Sequence, residues 1–375
     1  MRDDQKGFKY PVVNRDLCVN CGACDRVCDG ATAARLQGRG PIAYGAFSKD
    51  EALRYNSSSG GVFSIIAREV LSNGGIVVGA AMSSDCYSVH HVCVETDEEL
   101  AMLRGSKYLQ SDIGTIFEEI KAALDKERVV LFSGTPCQVD GLKAFLGKDY
   151  QNLLCVDIIC HGVPSPLVWK KYCQEIEERS GGKIVAVNFR HKRQGWKRFG
   201  MFRKSRNGLR LSFVFHQKER DEFLRLFLKN YTLRPSCYEC QHKGINRNSD
   251  MTIADFWGVE RICPDLSDGK GTSLVLVHTE KGDNIFQRIR HDLTIRETDV
   301  QNAVDRNKPA VKSVHKPHDY ELFWEDFDKL SIKQLARKFA PITLKTRIKL
   351  AIYGLPVVGY IKKKRRGGVL FKIVR

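Results

Sequence analysis

GTPCQVDGLKAFLGKDYQNLLCVDIICHGVPSP, residues 134–166, is the stretch from which the rest of the chain can be read. Cys137 follows the run VVLF and Cys160 follows LLCVDII, both apolar and rich in β-branched residues, so each cysteine sits where a buried strand ends. Loops at strand ends are where α/β proteins bind ligands. Two thiols cannot close a metal site, but CYEC supplies two more at Cys237 and Cys240, in a segment dense with Gly, Asn and Pro. Four thiolates suit an iron–sulfur cluster or a structural zinc ion. A redox dithiol usually opens a helix, whereas the flanks of CYEC read as loop.

The chain has 375 residues, thirteen of them cysteine, and ordinary apolar content, which is enough for one large domain with appendages. Its start, MRDDQKGFKYP, lacks the apolar stretch of a secretory signal. The expectation is therefore a cytoplasmic protein whose cysteines are metal ligands and reduced core thiols, not a disulfide framework. The formal net charge is +17, yet residues 329–375 hold fourteen Lys or Arg and no Asp or Glu, so basicity is a property of the tail. No nucleic-acid-binding motif accompanies it, and nucleic acid is not an expected partner.

Cys18, Cys21, Cys24 and Cys28 form CVNCGACDRVC, the C-x2-C-x2-C-x3-C run of bacterial ferredoxins, with Gly22 permitting a close turn around a 4Fe-4S cluster. Zinc sites use cysteines in pairs rather than four so close together. In two-cluster ferredoxins the fourth cysteine serves the other cluster and precedes Pro, whereas Asp29 follows Cys28 and no second run exists. Three solutions stay open: Cys28 bends back, a remote thiol completes the cluster, or the site is incomplete.

The segment YNSSSGGVFSIIAREVLSNGG reads as a helix with Ser57–Ser59 as N-cap candidates and Gly74 and Gly75 at its end. Its Ser/Gly start, at Ser58, Ser59, Gly60 and Gly61, also suits the pyrophosphate of a flavin dinucleotide, while an ordinary capped helix is the plainer reading. Strands IVVGAAM and VHHVCVET, helices DEELAML and IGTIFEEIKAALDK, and the strand RVVLF alternate as in an α/β layer. Lys107, in the loop GSKYLQSD, is a candidate for a phosphate or a flavin carbonyl. His161 is a candidate proton relay. SPLVWKKYCQEIEERSGG is a helix from a Ser/Pro cap; KIVAVNFR, RFGMFRKS and LRLSFVFH form an antiparallel insertion; MTIADFWG is a strand that returns to the core. The tail joins a helix, EDFDKLSIKQLARKFA, to a segment whose longest apolar run is too short to span a bilayer but fits contact with an anionic membrane surface.

Taken in order, SSSGGVF, RGSKYLQSD, GTPCQ, CHGVPSP, CYEC and SDMTIADFWG resemble the coenzyme F420 hydrogenase/dehydrogenase beta-subunit family over roughly residues 10 to 315. The family includes flavin subunits that pass electrons between a cluster and a deazaflavin, a plant chlorophyll-cycle reductase, and bacterial proteins encoded among polysaccharide genes; the last group looks most similar. The resemblance implies that Cys137, Cys160, Cys237 and Cys240 hold a 4Fe-4S cluster. It also implies that FAD binds at the SSSGG loop, at Gly105, Ser106, Lys107 and Tyr108, and along the strand bearing Asp250 and Asp255. Bacterial relatives usually carry two ferredoxin runs, and this chain has one.

The expected fold is α/β (α+β): a mixed sheet with flanking helices, a partial ferredoxin-type segment at 1–40, beta-subunit-like halves at 45–130 and 131–315, and a basic helical tail at 316–375. The expected function is an iron–sulfur flavoprotein oxidoreductase. In it, electrons from a donor such as ferredoxin or a dehydrogenase partner run through the clusters to FAD and an unidentified small acceptor. The alternative is a flavin-free 4Fe-4S electron-transfer module for a partner enzyme. Either would reside in the cytoplasm, with the tail able to contact the inner face of the membrane.

Overall fold

Residues that alternate along IVVGAAM, VLFSG and LLCVDI bury on opposite sides of one sheet, as a strand covered by helices on both faces requires. Ile76, Val78, Val130, Phe132, Leu153 and Cys155 pack against Ile116, Ile120, Leu124, Val139 and Leu142 of the helices Ile116–Asp125 and Pro136–Leu146. Val77, Leu131, Leu154 and Val156 pack on the other face against Ile65, Ile66 and Val70 of helix Val62–Ser72 and Phe286 of helix Glu280–Arg288.

The computed structural model describes residues 1–30 and 40–354. Among these, nine strands form a mixed sheet in the order Leu293–Thr298, Ile42–Ser48, Ser273–Val277, Met251–Asp255, Leu153–Ile158, Val130–Gly134, Ile76–Met82, Val89–Val94, Ser111–Asp112. The four strands from Met251–Asp255 to Ile76–Met82 are mutually parallel, so their carboxyl ends share one edge. The expected α/β architecture with a mixed sheet and flanking helices is what the chain adopts.

Lys183–His191, Gly200–Asn207 and Arg210–Gln217 make a separate antiparallel sheet, as the sequence pattern indicated. It shares a second core with helices Pro166–Ser180, Glu222–Leu228, Tyr320–Phe327 and Ile332–Phe339, built around Trp169, Tyr172, Phe189, Phe223 and Phe323.

One strand is additional to the sequence reading, and two local expectations change. Ile42–Ser48, IAYGAFS, is a full strand of the main sheet, although its Gly and Ala are poor strand formers. Ser57–Ser59 do not cap helix Val62–Ser72: its N-cap is Gly61, with no side-chain cap, and Ser57 instead closes the preceding helix Glu51–Asn56. EDFDKLSIKQLARKFA is two helices, because the Ser331 side chain accepts from the Gln334 amide and starts a new N-terminus.

Two buried polar groups carry much of the sheet's order. Asp157, 1% exposed, accepts from Thr252 on the neighbouring strand and from Arg247 Nη1 at 3.2 Å. Arg247 also donates to the carbonyls of Gly244, Ile158 and Ala310. His91, 4% exposed, stacks on Phe132; its Nε2–H donates to the Ser133 carbonyl, so Nδ1 accepts from the Ser111 hydroxyl. Burial holds its pKa down to about 4.

Arg247→Met leaves the Asp157 carboxylate buried without a cation and is expected to lower the unfolding free energy by about 3 kcal/mol or more, read from denaturant melts. For His91 the folded pKa lies below the ordinary 6.5, so between pH 6.5 and about 4 the unfolded chain binds the extra proton. Its stabilising contribution is complete above that window and is lost as pH falls through it. His91→Gln should flatten the dependence of the urea midpoint on pH in this range; an unchanged slope would assign the effect to other groups.

Candidate functional site

Two constellations occupy the carboxyl edge of the parallel strands. In the first, Cys137 lies in the first turn of helix Pro136–Leu146, directly after strand Val130–Gly134, and the Thr135 hydroxyl stands 3.1 Å from its sulfur. Cys160 follows strand Leu153–Ile158, and Lys243 Nζ donates to its carbonyl. The CYEC loop is brought over by a short pairing of Pro164 with Leu233, by Cys237 N–H donating to Arg234 O at 2.9 Å, and by Cys240 N–H donating to Ser313 Oγ at 3.0 Å. Gly162, at φ +146°, makes the approach possible: a Cβ there would lie 2.9 Å from Leu233 Cδ1 and 3.4 Å from Cys237 Cβ.

The four thiols converge closely enough to perturb one another. Cys137 keeps an exposed surface, yet the protein crowded around its thiol raises its pKa, and the thiols of Cys160 and Cys240 raise it further. Burial pushes Cys160 up to about 11, opposed by Lys243 and reinforced by Cys237. Cys237 also rises to about 11, first through burial. Binding a metal here would therefore displace protons. Among the described residues, no three of these sulfurs lie within 4.8 Å of one another. A donor set of four thiolates suits an iron–sulfur cluster or a structural zinc ion.

The N-terminal segment reaches the same place. Its hairpin, Arg2–Asp3 with Lys9–Tyr10, buries Phe8 fully; Ser165 Oγ donates to Lys6 O and Arg234 donates to Lys9 O. Cys18, Cys21 and Cys24 are exposed. The helix Ala23–Gly30 packs alongside Pro136–Leu146, the helix that begins at the Cys137 turn. Cys28 falls in that helix, but its side chain lies outside the described residues, as does the tail beyond 354.

The second constellation is a cleft lined by Tyr55, Ser57, Ser58, Gly105, Arg190 and Lys192, with a volume of about 290 Å³ including solvent at its mouth. Ser58 Oγ accepts from Ser106 N–H at 2.8 Å and pairs with the Ser106 hydroxyl, locking the SSSGG loop to the GSKY loop. Ser59 Oγ donates to Thr272 O, and Gly60 N–H donates to Ser273 Oγ. A Cβ on Gly60 would stand 2.5 Å from Ala46 O, so only glycine lets the loop lie on the sheet edge.

Tyr108 and Asp255 meet through Arg190. This guanidinium, 6% exposed, donates to Tyr108 Oη at 3.2 Å and stands 2.8 Å from Asp255 Oδ2, while Trp196 Nε1 donates to Asp255 Oδ1. Although the Asp255 oxygen is close to Nη2, it is off the N–H direction, so the pair is an ionic contact rather than a hydrogen bond; Nε has no hydrogen-bond partner. Lys192, just past the end of the strand Lys183–His191, donates to the carbonyls of Arg54, Ser59 and Lys270, with burial lowering its pKa to about 8.

Lys107 turns its ammonium onto the carbonyls of Met102 and Arg104, and burial lowers its pKa to about 7. The Asp250 carboxylate is at the other end of its strand from Asp255, where it accepts from Cys155 N–H and Thr279 Oγ1. His161 Nε2 lies 2.7 Å from Asn230 Oδ1. Because Asn230 Nδ2 donates to His315 O, the oxygen faces His161 and Nε2 carries the proton. The His161 ring meets Phe227 at 5.1 Å, Phe227 meets Tyr108 at 4.7 Å, and the Tyr108 hydroxyl meets Arg190 of the cleft wall, so two aromatic rings link the cysteine loop to the cleft. Sequence reasoning missed Arg190 and Lys192, the first near the end of the strand Lys183–His191 and the second in the loop that follows; nothing local to that run marks either as a buried cation.

The compact group His216, Asp221 and Glu222 also brings ligand atoms together. Its Asp221 already accepts from Tyr172 and caps Leu224, with Arg203 3.6 Å away in the role of the cation.

The chain has recognisable relatives among known proteins. It is 23% identical over 314 residues to the coenzyme F420-dependent sulfite reductase of Methanocaldococcus jannaschii, covering 81% of this chain and 47% of that protein. It thus spans about half the length of this curated relative. Among solved structures it is similar to a chain of the F420-reducing [NiFe] hydrogenase complex from Methanosarcina barkeri, with 16% identity, a TM-score of 0.47, and coverage of 82% of this chain and 95% of that one. Residues 43–118 match the family defined by the N-terminal part of the coenzyme F420 hydrogenase/dehydrogenase beta subunit, residues 127–303 match that defined by its C-terminal part, and the chain belongs to this family.

Proposed function

We propose that this chain is an iron–sulfur flavoprotein oxidoreductase of the beta-subunit type, with metal held by Cys137, Cys160, Cys237 and Cys240 and FAD held at the cleft. The observation that carries the reading is the nearness of a convergent four-thiol set to a cation-bearing cleft, the two linked through the Phe227 and Tyr108 rings and Arg190. When bound, an iron–sulfur cluster supplies single-electron transfer and a flavin converts it to two-electron chemistry.

The residues of the chain have separable tasks in this scheme. Lys243, tied to the Cys160 carbonyl, lowers the cost of gathering thiolates there. Arg190 fixes a positive charge in the cleft wall, held in place by Asp255 and by the Phe199 ring 4.1 Å from its guanidinium carbon. Lys192 clamps the Ser59 backbone, and Ser58 joins that loop to Ser106. The exposed Cys18, Cys21 and Cys24 form a second thiol group beside helix Pro136–Leu146. That position suits an electron donor docking from solvent, which makes a donor protein or partner subunit part of the proposal.

A second reading, a flavin-free electron-transfer module, is favoured by the narrowness of the cleft, whose enclosed volume of about 30 Å³ is well below that of small-ligand sites. Flavin stoichiometry separates the two.

Protein purified and reconstituted without oxygen is expected to carry about one FAD and about four irons at the Cys137 site, or about eight where the N-terminal thiols also complete a cluster. Cys160→Ser or Cys237→Ser should remove about four irons, leaving the rest with the N-terminal thiols. Retention of all iron in both variants would sink the assignment of the four-cysteine site. Ser58→Ala and Arg190→Met should each weaken FAD binding by about tenfold in a fluorescence titration, without changing iron content. An iron-replete protein that binds no FAD would establish the module reading instead.

A further inference from the structure

A carboxylate stands beside the four thiols. Asp140 follows Cys137 by three residues in helix Pro136–Leu146, so the two side chains lie on one face of its first turns. Asp140 Oδ2 meets His242 Nδ1, and Oδ1 accepts from Asn248 Nδ2 at 2.7 Å. A carboxylate only accepts, so His242 Nδ1 carries the proton and donates it. His242 is two residues beyond Cys240, and Asn248 leads into strand Met251–Asp255. The carboxylate therefore holds, at two points, the segment that runs from the CYEC loop back to the sheet.

This charge is also placed to act on the sulfurs. The side chains of Asp140 and His242 are 12% and 18% exposed, so water and salt screen the carboxylate little. Burial is the main cause of the raised Cys137 pKa, and the Asp140 charge adds to it. Lys243 acts on Cys160 with the opposite sign.

We propose that Asp140 is a positioning residue for the group held by Cys137, Cys160, Cys237 and Cys240: it ties the CYEC loop to the Cys137 turn, and its negative charge keeps the reduction potential of that group low. The inference rests on the iron–sulfur reading given above. Carboxylate–imidazole pairs around a metal site orient its ligands, and a fixed negative charge near a cluster disfavours the state with the extra electron. Anchoring of the loop alone would leave the potential where it is, so the potential is the discriminating readout.

The test is a redox titration of the reconstituted full-length protein, followed by the electron paramagnetic resonance of the reduced cluster, together with the rate of iron release to a chelator. Asp140→Asn removes the charge and keeps the shape; its potential should shift to more positive values, and Asp140→Glu should restore the parent value. His242→Leu leaves the charge but breaks the tie, and should release iron about tenfold faster, with His242→Gln, which keeps a donor, close to the parent. Asp149→Asn, exposed beyond the far end of the same helix, should match the parent in both measurements. An iron-replete Asp140→Asn protein with the parent potential, an equal shift in Asp149→Asn, or unchanged iron release in His242→Leu would overturn the proposal and leave the iron–sulfur reading standing. A parent protein that holds no iron would overturn that reading, and the proposal with it.

Discussion

Asp157 is a carboxylate with almost no access to water, and the layout of the carboxyl edge depends on how its charge is answered. Taking an ion out of water costs several kcal/mol, which is offset only when partners surround it. Thr252 answers from the adjacent strand and Arg247 from a loop. Because the same guanidinium also holds Gly244, Ile158 and Ala310, satisfying one carboxylate ties the end of the Cys160 strand to the segment that follows Cys240. The thiols are thereby gathered by a constraint that involves none of them.

The cleft is organised by an analogous principle with the charges reversed. Arg190 on the separate antiparallel sheet and Lys192 just past its first strand are buried cations, and their partners belong to the main sheet and its loops: Asp255, Tyr108, and the carbonyls of Arg54, Ser59 and Lys270. Each sheet therefore lacks something the other provides. The stacked Trp196 and Trp257, with ring centroids 4.8 Å apart, close the same junction with apolar area. This seam and the cysteine loops lie at one edge, where ligands of open α/β sheets are bound.

How far this was legible in the sequence depended on how local the determining physics is. The strand ends before Cys137 and Cys160 could be read because buried parallel strands are continuous apolar runs bounded by turn residues. The antiparallel insertion was legible for the same reason. Ile42–Ser48 was not: its Gly45 has no apolar side chain, and the space belongs to Leu266 and Phe256, within 3 Å of where a Cβ would be. The serines of the SSSGG loop looked like caps because Ser is a good cap anywhere; in the fold their hydroxyls go to Ser106, Thr272 and Leu53, partners distant or preceding in the chain. Likewise nothing local distinguishes Asp250, spent on Cys155 and Thr279, from Asp255, which backs Arg190 of the cleft wall. Ligand candidates were visible as residue types; which of them share a cavity was decided by long-range pairing.

The strand Ile42–Ser48 also bears on how the protein comes into being. It pairs on one side with Ser273–Val277 and on the other with Leu293–Thr298, although it is the first of the sheet's strands to be synthesised. Roughly 230 residues must leave the ribosome before either neighbour exists, and at about 5–20 residues per second that is a wait of tens of seconds. During translation this strand is an unpaired edge, and the parallel strands between Ile76 and Ile158 can assemble without it. Uncharged, free of proline and bearing Ile42, Tyr44 and Phe47, the segment is open to aggregation during that delay, with Gly45 the one residue that weakens it as a template.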